Sequence, residues 1–208
     1  MVNCFSCRNS NLIVIYVLLM NLIFLGPPGV GKGTQAKILC DKYGILHLST
    51  GDILRLEISE KTEIGNLAKS FINRGELVPD DTLLIMMNNR LNQDDAKSGY
   101  LLDGFPRTIE QAKGLNLILK DIGDKIDSVI SLSGDEDELV NRLVNRGLSS
   151  GRSDDSIEII RNRQQIYWNQ TSPLLNYYEE MNLLKNVNGV GAINDINNEI
   201  IKIVDQYA

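Results

Sequence analysis

Residues 22–34 read LIFLGPPGVGKGT. The first four are apolar, as in a strand buried on both faces, and a glycine-rich loop leads from them into a helical pattern that begins at Thr34. Glycines let backbone N–H groups turn toward phosphate oxygens, a helix N-terminus adds the positive end of its dipole, and Lys32 adds a full charge. The spacing Gly26-x4-Gly31-Lys32 therefore predicts a phosphate-binding loop (P-loop), with the hydroxyl of Thr34 one place beyond its usual position.

Apolar runs alternate with helical periodicity along the rest of the chain. Four short runs are predicted to be buried parallel strands: 22–25, 100–102, 129–132 and 183–187. Six stretches are predicted to be helices: 34–43, 80–91, 108–122, 135–146, 157–167 and 193–206. The alternation predicts an α/β fold of P-loop NTPase type, a doubly wound parallel sheet.

Two segments interrupt this alternation. Residues 49–78 carry two short helical patterns and end in turn-prone pieces, which predicts a small helical insertion. Residues 145–155 are polar, rich in Gly and Ser, and without a strand pattern, which predicts a short excursion above the sheet. His47, just before the first insertion, is expected to be a structural histidine on a buried strand.

The composition excludes several classes of protein. A chain of 208 residues with 43% hydrophobic residues is long enough for one compact domain, which argues against disorder. Its formal charge of −6 argues against a nucleic-acid partner. One His and three Cys do not supply the ligands of a zinc site, and the C-x-x-C at Cys4 and Cys7 has no second pair, so we expect no zinc and reduced thiols in a cytoplasmic protein.

The N-terminus is unusual. Residues 12–20 are all apolar, but about 14 apolar residues in all are too few to span a bilayer comfortably. No cluster of basic residues precedes them and no cleavage pattern follows. We expect the functional domain to occupy residues 20–208, and residues 1–19 to be an extension of unknown role. An N-terminal membrane anchor is the weaker alternative, and no membrane partner is expected.

Arginines are concentrated in one part of the chain. Five of the ten (Arg142, Arg146, Arg152, Arg161 and Arg163) lie within 22 residues that contain no lysine. A planar guanidinium binds phosphate oxygens with two parallel hydrogen bonds, so this cluster predicts polyphosphate binding. The alternative is a solvated helix face, which predicts mixed Lys and Arg with Glu nearby. Only Glu158 fits that pattern, so phosphate binding is favoured.

The motifs together resemble the adenylate kinase family, in its short-lid form. The resemblance covers residues 20–208 and rests on five stretches: GPPGVGKGT (26–34), HLSTGDILR (47–55), GELVP (75–79), LLDGFPRTIEQA (101–112) and RLVNRGLSSGRSDD (142–155). It implies transfer of a phosphoryl group from Mg-ATP to AMP, giving two ADP. Segment 49–78 would be the nucleoside monophosphate (NMP) binding insertion, segment 145–155 the short lid, and the protein a monomer.

The resemblance also assigns roles to residues. The donor ATP would be bound by Gly29, Val30, Gly31, Lys32, Gly33, Thr34, Arg146 and Gly191. The acceptor AMP would be bound by Thr50, Arg55, Glu76, Leu77, Val78, Gly104, Phe105, Pro106, Arg107, Gln111, Arg152 and Arg163. Catalysis would depend on Lys32, Arg107, Arg142, Arg152 and Arg163. Asp103, at the end of a predicted strand where ligands usually bind, would hold Mg²⁺ through water.

Two other functions remain open at this point. Relatives that use UMP or CMP typically carry Ala at the position of Thr50 and Asn at that of Thr108, so the residues present favour AMP. A P-loop protein that binds nucleotide without catalysis is the second alternative. A guanine-reading N-K-x-D motif is absent, and no charged or Gly position of the matched motifs is missing.

Overall fold

The computed structural model describes residues 20–150, 152 and 154–207. The predicted extension 1–19, including Cys4 and Cys7, lies outside these residues, as do two positions of the predicted lid, 151 and 153. Within the described chain, no helix has the length and apolar character needed to cross a membrane.

A parallel sheet of five strands forms the centre of the molecule, in the order β2-β3-β1-β4-β5. The strands are β1 (Asn21–Leu25), β2 (Leu46–Ser49), β3 (Tyr100–Asp103), β4 (Ser128–Ser133) and β5 (Leu184–Asn188). The four apolar runs predicted from the sequence are β1, β3, β4 and β5, with ends shifted by one residue at most. The edge strand β2 contains His47 and is only partly buried.

Helices cover both faces of the sheet. They are α1 (Lys32–Tyr43), α2 (Thr50–Glu60), α3 (Glu63–Ile72), α4 (Asp80–Leu91), α5 (Ile109–Ile122), α6 (Glu136–Ser150), α7 (Ile157–Ile166), α8 (Pro173–Glu180) and α9 (Ile193–Val204). A 3₁₀ turn at Asp94–Ser98 lies between α4 and β3, and a π-helical turn at Tyr167–Thr171 lies between α7 and α8. The six helices expected from periodicity are all present, while α8 was not predicted.

Alternate residues of β1 build the two halves of the core. Leu22 and Phe24 pack with α1 and α9 on one face, and Ile23 and Leu25 pack with α4, α5 and α8 on the other. All five residues of β1 are buried, because a central parallel strand is covered by helices on both faces. The predicted doubly wound α/β fold is thus confirmed.

The two segments that interrupt the α/β alternation are both largely helical in the structure. The insertion 49–78 contains α2 and α3, each with a side-chain N-cap. The hydroxyl oxygen of Ser49 accepts from the N–H of Asp52, and that of Thr62 accepts from the N–H of Gly65. In the second interruption α6 does not end near Arg146 but continues to Ser150. Residues 148–150 are exposed, and the hydroxyl of Ser149 donates to the carbonyl oxygens of Asn145 and Arg146, so polar composition here does not end the helix.

Candidate active site

The strands end at one edge of the sheet, where the site is built. The register pairs Phe24 with Asp103 and Asp103 with Ser49, so the ends of three strands lie side by side. Connections leave this edge as the P-loop after β1, the insertion after β2 and the Gly104–Thr108 turn after β3. In open parallel sheets this edge is where ligands bind.

The P-loop requires glycine at the positions where it packs closely. Gly26 and Gly29 have positive φ angles of 141° and 89°. A Cβ at Gly26 would lie 2.4 Å from the carbonyl oxygen of Leu132, and one at Gly29 would lie 2.6 Å from that of Leu139. Both are distances that no side-chain atom tolerates, so the loop is held against β4 and α6 by backbone contact.

Helix α1 begins directly after this loop and has no side-chain cap. Its first intrahelical hydrogen bond runs from the N–H of Gln35 to the carbonyl oxygen of Gly31. The preceding N–H groups therefore need a partner from outside the helix, and together with the helix dipole they favour an anion.

Lys32 lies beneath the loop. Its Nζ donates to the carbonyl oxygens of Gly26, at 2.6 Å, and Pro27, at 3.1 Å. The pKa of Lys32 is lowered from 10.5 to about 8, mainly by burial and also by the charges of Arg107, Arg163 and Arg146, while Asp103 opposes the shift. The ammonium thus lies in a strongly positive environment that a polyphosphate would neutralise.

A cleft of about 900 Å³ lies above the P-loop. All eight residues predicted to bind the donor line it: Gly29, Val30, Gly31, Lys32, Gly33, Thr34, Arg146 and Gly191. The five predicted catalytic residues line it as well: Lys32, Arg107, Arg142, Arg152 and Arg163. Arg161, from the same cluster of arginines, is exposed and does not line it.

The predicted acceptor residues divide into two groups. Arg55, Gly104, Arg107, Arg152 and Arg163 line the cleft, and Leu77 and Pro106 line an adjoining cavity of about 60 Å³. The other five do not line either space: Thr50, Glu76, Val78, Phe105 and Gln111. The side chain of Glu76 pairs with Arg74 instead, while the remaining four side chains are buried.

Hydrogen bonds hold both the backbone and the side chain of Arg107 in place. Its N–H donates to Oε1 of Gln111 at 2.7 Å, and its carbonyl oxygen accepts from Oγ1 of Thr171 at 2.9 Å. Its Nε donates to the carbonyl oxygen of Gly104 at 2.8 Å. Burial, together with the charge of the neighbouring Arg163, lowers the pKa of Arg107 to about 10, so the guanidinium is a preorganised charge in a crowded positive site.

Three arginines of the cluster, Arg142, Arg146 and Arg163, form ion pairs with carboxylates, which the sequence analysis did not predict. Arg146 makes two hydrogen bonds of 2.7 Å to Asp155, whose side chain is fully buried, and Arg163 contacts both Asp154 and Asp155. In the sequence Glu158 was the one acid that fitted the alternative of a solvated face, whereas the partners in the structure are Asp154 and Asp155. Arg142 pairs with Glu138 one helical turn earlier. For Arg146 and Arg163, the signal in the sequence was the pair of neighbouring aspartates at 154 and 155.

The site also includes a residue that sequence reasoning placed elsewhere. His47 lines the cleft, and its Nε2 lies 3.3 Å from Oδ2 of Asp103. It is hydrogen-bonded, as expected of a structural histidine, but it is partly exposed, because β2 is an edge strand. No sequence pattern distinguishes a histidine on an edge strand from one on a central strand.

Asp103 is the carboxylate best placed for a cation. It lines the cleft opposite the P-loop, with Oδ2 3.5 Å from the position a Cβ at Gly33 would take. Among the described residues no group of three or more His, Cys, Asp or Glu converges as a metal site. One carboxylate beside a phosphate loop still fits Mg²⁺, which proteins commonly bind through one or two carboxylates, with phosphates and water completing its shell.

Comparison with known proteins gives the same family as the motifs. The family model for adenylate kinase matches residues 24–183. An adenylate kinase of Leptospira biflexa is 46% identical over 183 residues, covering 88% of this chain and 98% of its own length. One of Thermobifida fusca is 46% identical over 85% of this chain and 94% of its own length, and one of Methanothrix thermoacetophila is 41% identical over 90% and 100%. The chain belongs to the adenylate kinase family.

Proposed function

We propose that the protein catalyses reversible phosphoryl transfer from ATP to AMP, giving two ADP. The observation that carries this proposal is a single cleft with a P-loop on one wall and six guanidinium groups around it, those of Arg55, Arg107, Arg142, Arg146, Arg152 and Arg163. The triphosphate of ATP and the phosphate of AMP, meeting end to end, would need such a concentration of positive charge. Relatives named adenylate kinase match nearly the whole described chain.

The donor would occupy the side of the cleft nearest α1 and α6. The N–H groups at the start of α1 and the ammonium of Lys32 face the place for its terminal phosphates. Its base would lie toward Gly191, where Arg142 holds the preceding loop by donating to the carbonyl oxygen of Gly189 at 3.2 Å.

The acceptor would lie between the insertion and the turn after β3. Arg55 and Arg107 would bind its phosphate, and Thr50, Gln111 and the backbone at 76–78 would form the base pocket. Thr50 donates to the carbonyl oxygen of Gly104 at 2.9 Å, so the base pocket and the phosphate-binding turn are one unit. Thr50 and Thr108 favour AMP over UMP or CMP as the acceptor.

In the reaction an acceptor phosphate oxygen attacks the terminal phosphorus of ATP, and the bond to the bridging oxygen breaks. The protein contributes position and charge rather than covalent chemistry. Lys32, Arg107 and Arg163 would neutralise the charge of the transferring group. Asp103 would hold Mg²⁺ through water, and the ion, when bound, would supply further neutralisation of the phosphates.

The lid and the insertion would exclude water from the transferring group, since water in the acceptor's place would turn transfer into hydrolysis. ATP hydrolysis without an acceptor should therefore be far slower than transfer. We further propose that the protein acts in the cytoplasm as a monomer.

The test is a coupled assay of ADP formation from Mg-ATP with AMP, CMP or UMP in turn. We expect AMP to be the preferred acceptor; a preference for UMP or CMP would replace this function by the alternative one. Lys32→Met should remove activity while the fold is retained by circular dichroism, and an active Lys32→Met variant would contradict the proposed site.

A matched pair of arginine variants makes the test specific. Arg163→Ala should lower kcat strongly, whereas Arg161→Ala, two residues away on the same helix but exposed and outside the cleft, should not. Equal effects of the two substitutions would show that the helix, and not the cleft position of Arg163, accounts for the loss.

A further inference from the structure

Asp80 makes contacts that the proposed reaction does not use. It is the first residue of α4 and lies two residues after Val78, at the exit of the insertion. Its Oδ1 accepts a hydrogen bond of 2.7 Å from Nε2 of Gln111, and its Oδ2 accepts one of 3.1 Å from Oγ1 of Thr108. One carboxylate thus joins the end of the insertion to the beginning of α5.

The contacts of Gln111 determine which way its amide points. Oε1 accepts from the backbone N–H of Arg107 at 2.7 Å, and Nε2 donates to Asp80. A backbone N–H can only donate and a carboxylate can only accept, so exchanging the amide oxygen and nitrogen would break both hydrogen bonds. The residue is fully buried, so bulk solvent does not compete for either hydrogen bond.

This orientation leaves Gln111 with one more N–H to donate. The amide nitrogen has two hydrogens, of which Asp80 takes one. Hydrogen bonds to a charged partner are about twice as strong as those between neutral groups, so the contact with Asp80 is the stronger of the two that fix the amide. A base edge that meets Gln111 would therefore meet a donor.

We propose that Asp80 is a positioning residue for acceptor specificity, which holds the Gln111 amide as a donor so that the site accepts a purine with an unprotonated N1 and rejects one with an N1–H. The inference rests on the proposed function, in which Gln111, which is buried and lines neither cavity in this structure, meets the acceptor base when the nucleotide is bound. Adenine presents a lone pair at N1. Hypoxanthine and guanine present an N–H there, which would face another donor.

The same contacts link all the parts that receive the acceptor. The backbone at 76–78, which would receive the base, ends two residues before Asp80. The amide of Gln111 donates to Asp80 and accepts from the backbone N–H of Arg107, which would bind the phosphate. Loss of Asp80 would free the amide to rotate toward either kind of base edge, so discrimination should fall more than turnover.

The test compares AMP with IMP, which differ only at position 6 and in the proton at N1. The wild-type protein is measured first; if it does not phosphorylate AMP, the proposed function itself has failed. In Asp80→Ala we expect the ratio of kcat/KM for AMP to that for IMP to fall by about tenfold, the equivalent of one hydrogen bond. The change should come from a higher KM for AMP, with the KM for ATP unchanged.

Two control variants separate positioning from a structural role. Asp81→Ala removes an exposed carboxylate from the same first turn of α4 and should leave the ratio unchanged. Asp80→Asn keeps an oxygen acceptor for Gln111 and should retain most of the discrimination. If Asp80→Ala does not fold, Asp80→Ser replaces it, because its hydroxyl keeps a polar group at the start of α4 but ends one bond short of the carboxylate oxygens.

The proposal is overturned if the AMP to IMP ratio of Asp80→Ala or Asp80→Ser equals that of the wild type. An unchanged ratio overturns the proposal even where activity and melting temperature fall, because a purely structural role lowers the rates with AMP and with IMP together. An equal loss of discrimination in Asp81→Ala would overturn it too, since the charge of the helix terminus would then be the cause.

Discussion

Binding of ATP should be coupled to proton uptake by Lys32, and the coupling can be measured. In the free protein burial lowers the pKa of Lys32 to about 8, against 10.5 for an exposed lysine. Polyphosphate oxygens placed beside the ammonium should return the pKa to its ordinary range or above. Below pH 8 the proton is already present; above pH 8 it must be taken up when ATP binds.

The magnitude follows from the size of the shift. At pH 9 about nine in ten molecules of the free protein would have a neutral Lys32, so ATP affinity should be about tenfold lower than at pH 7. It should fall by a further factor of about ten per pH unit until the pKa of the bound state is reached. Between pH 8 and 10.5 the unfolded chain holds this proton and the folded one does not, so this group makes folding stability rise with pH in that window.

Calorimetry in two buffers of different ionisation enthalpy counts the protons. We expect uptake of about 0.9 proton per ATP at pH 9 and about 0.1 at pH 7. Lys32→Arg is the control, because a guanidinium remains charged at both pH values and should show no uptake. Uptake below about 0.2 proton at pH 9, or the same uptake in Lys32→Arg, would refute this account of the site.

Other substitutions test the rest of the site. Arg107→Ala should lower kcat by several orders of magnitude with little change in melting temperature, and a variant within about tenfold of the original rate would contradict its role. Asp155→Asn removes the buried carboxylate between Arg146 and Arg163 and should cost about 2–3 kcal/mol of unfolding free energy, less than for a fully buried pair since Arg146 is partly exposed. ATP should recover part of this loss in thermal unfolding, and no recovery would show that the arginines do not meet its phosphates. A chain of residues 20–208 should match the melting temperature and kcat of the full chain; a loss of either would assign a role to the extension.

Local patterns were sufficient for the sheet and the P-loop. A central strand covered on both faces must be apolar throughout, as β1 is, and a loop that packs its backbone on β4 and α6 must have glycine at 26 and 29. Both requirements act on consecutive residues, so they are visible in the sequence. The end of α6 was harder to predict, because residues 148–150 are exposed and so the last turn has no buried apolar face that would mark it in the sequence.

The partners of the charged residues could not be predicted in the same way. Asp155 lies nine residues from Arg146, and His47 is 56 residues from Asp103. Such pairs form only when folding brings the ends of different strands and helices together, so spacing along the sequence does not reveal them. The one-turn spacing of Glu138 and Arg142 was visible in the sequence, but the cluster of arginines obscured it.

The class of fold and most of the residues that line the cleft could be predicted from the amino-acid sequence, because they depend on spacing within short segments. The orientation of these residues depends on contacts between elements that are distant in the chain. Gln111 could be predicted to lie near a base, but the direction of its amide depends on Asp80 and on the backbone of Arg107, which the packing of α4 against α5 brings together. A hydrogen bond depends on the relative position of two groups in space, and for groups on different elements that position is a property of the whole fold.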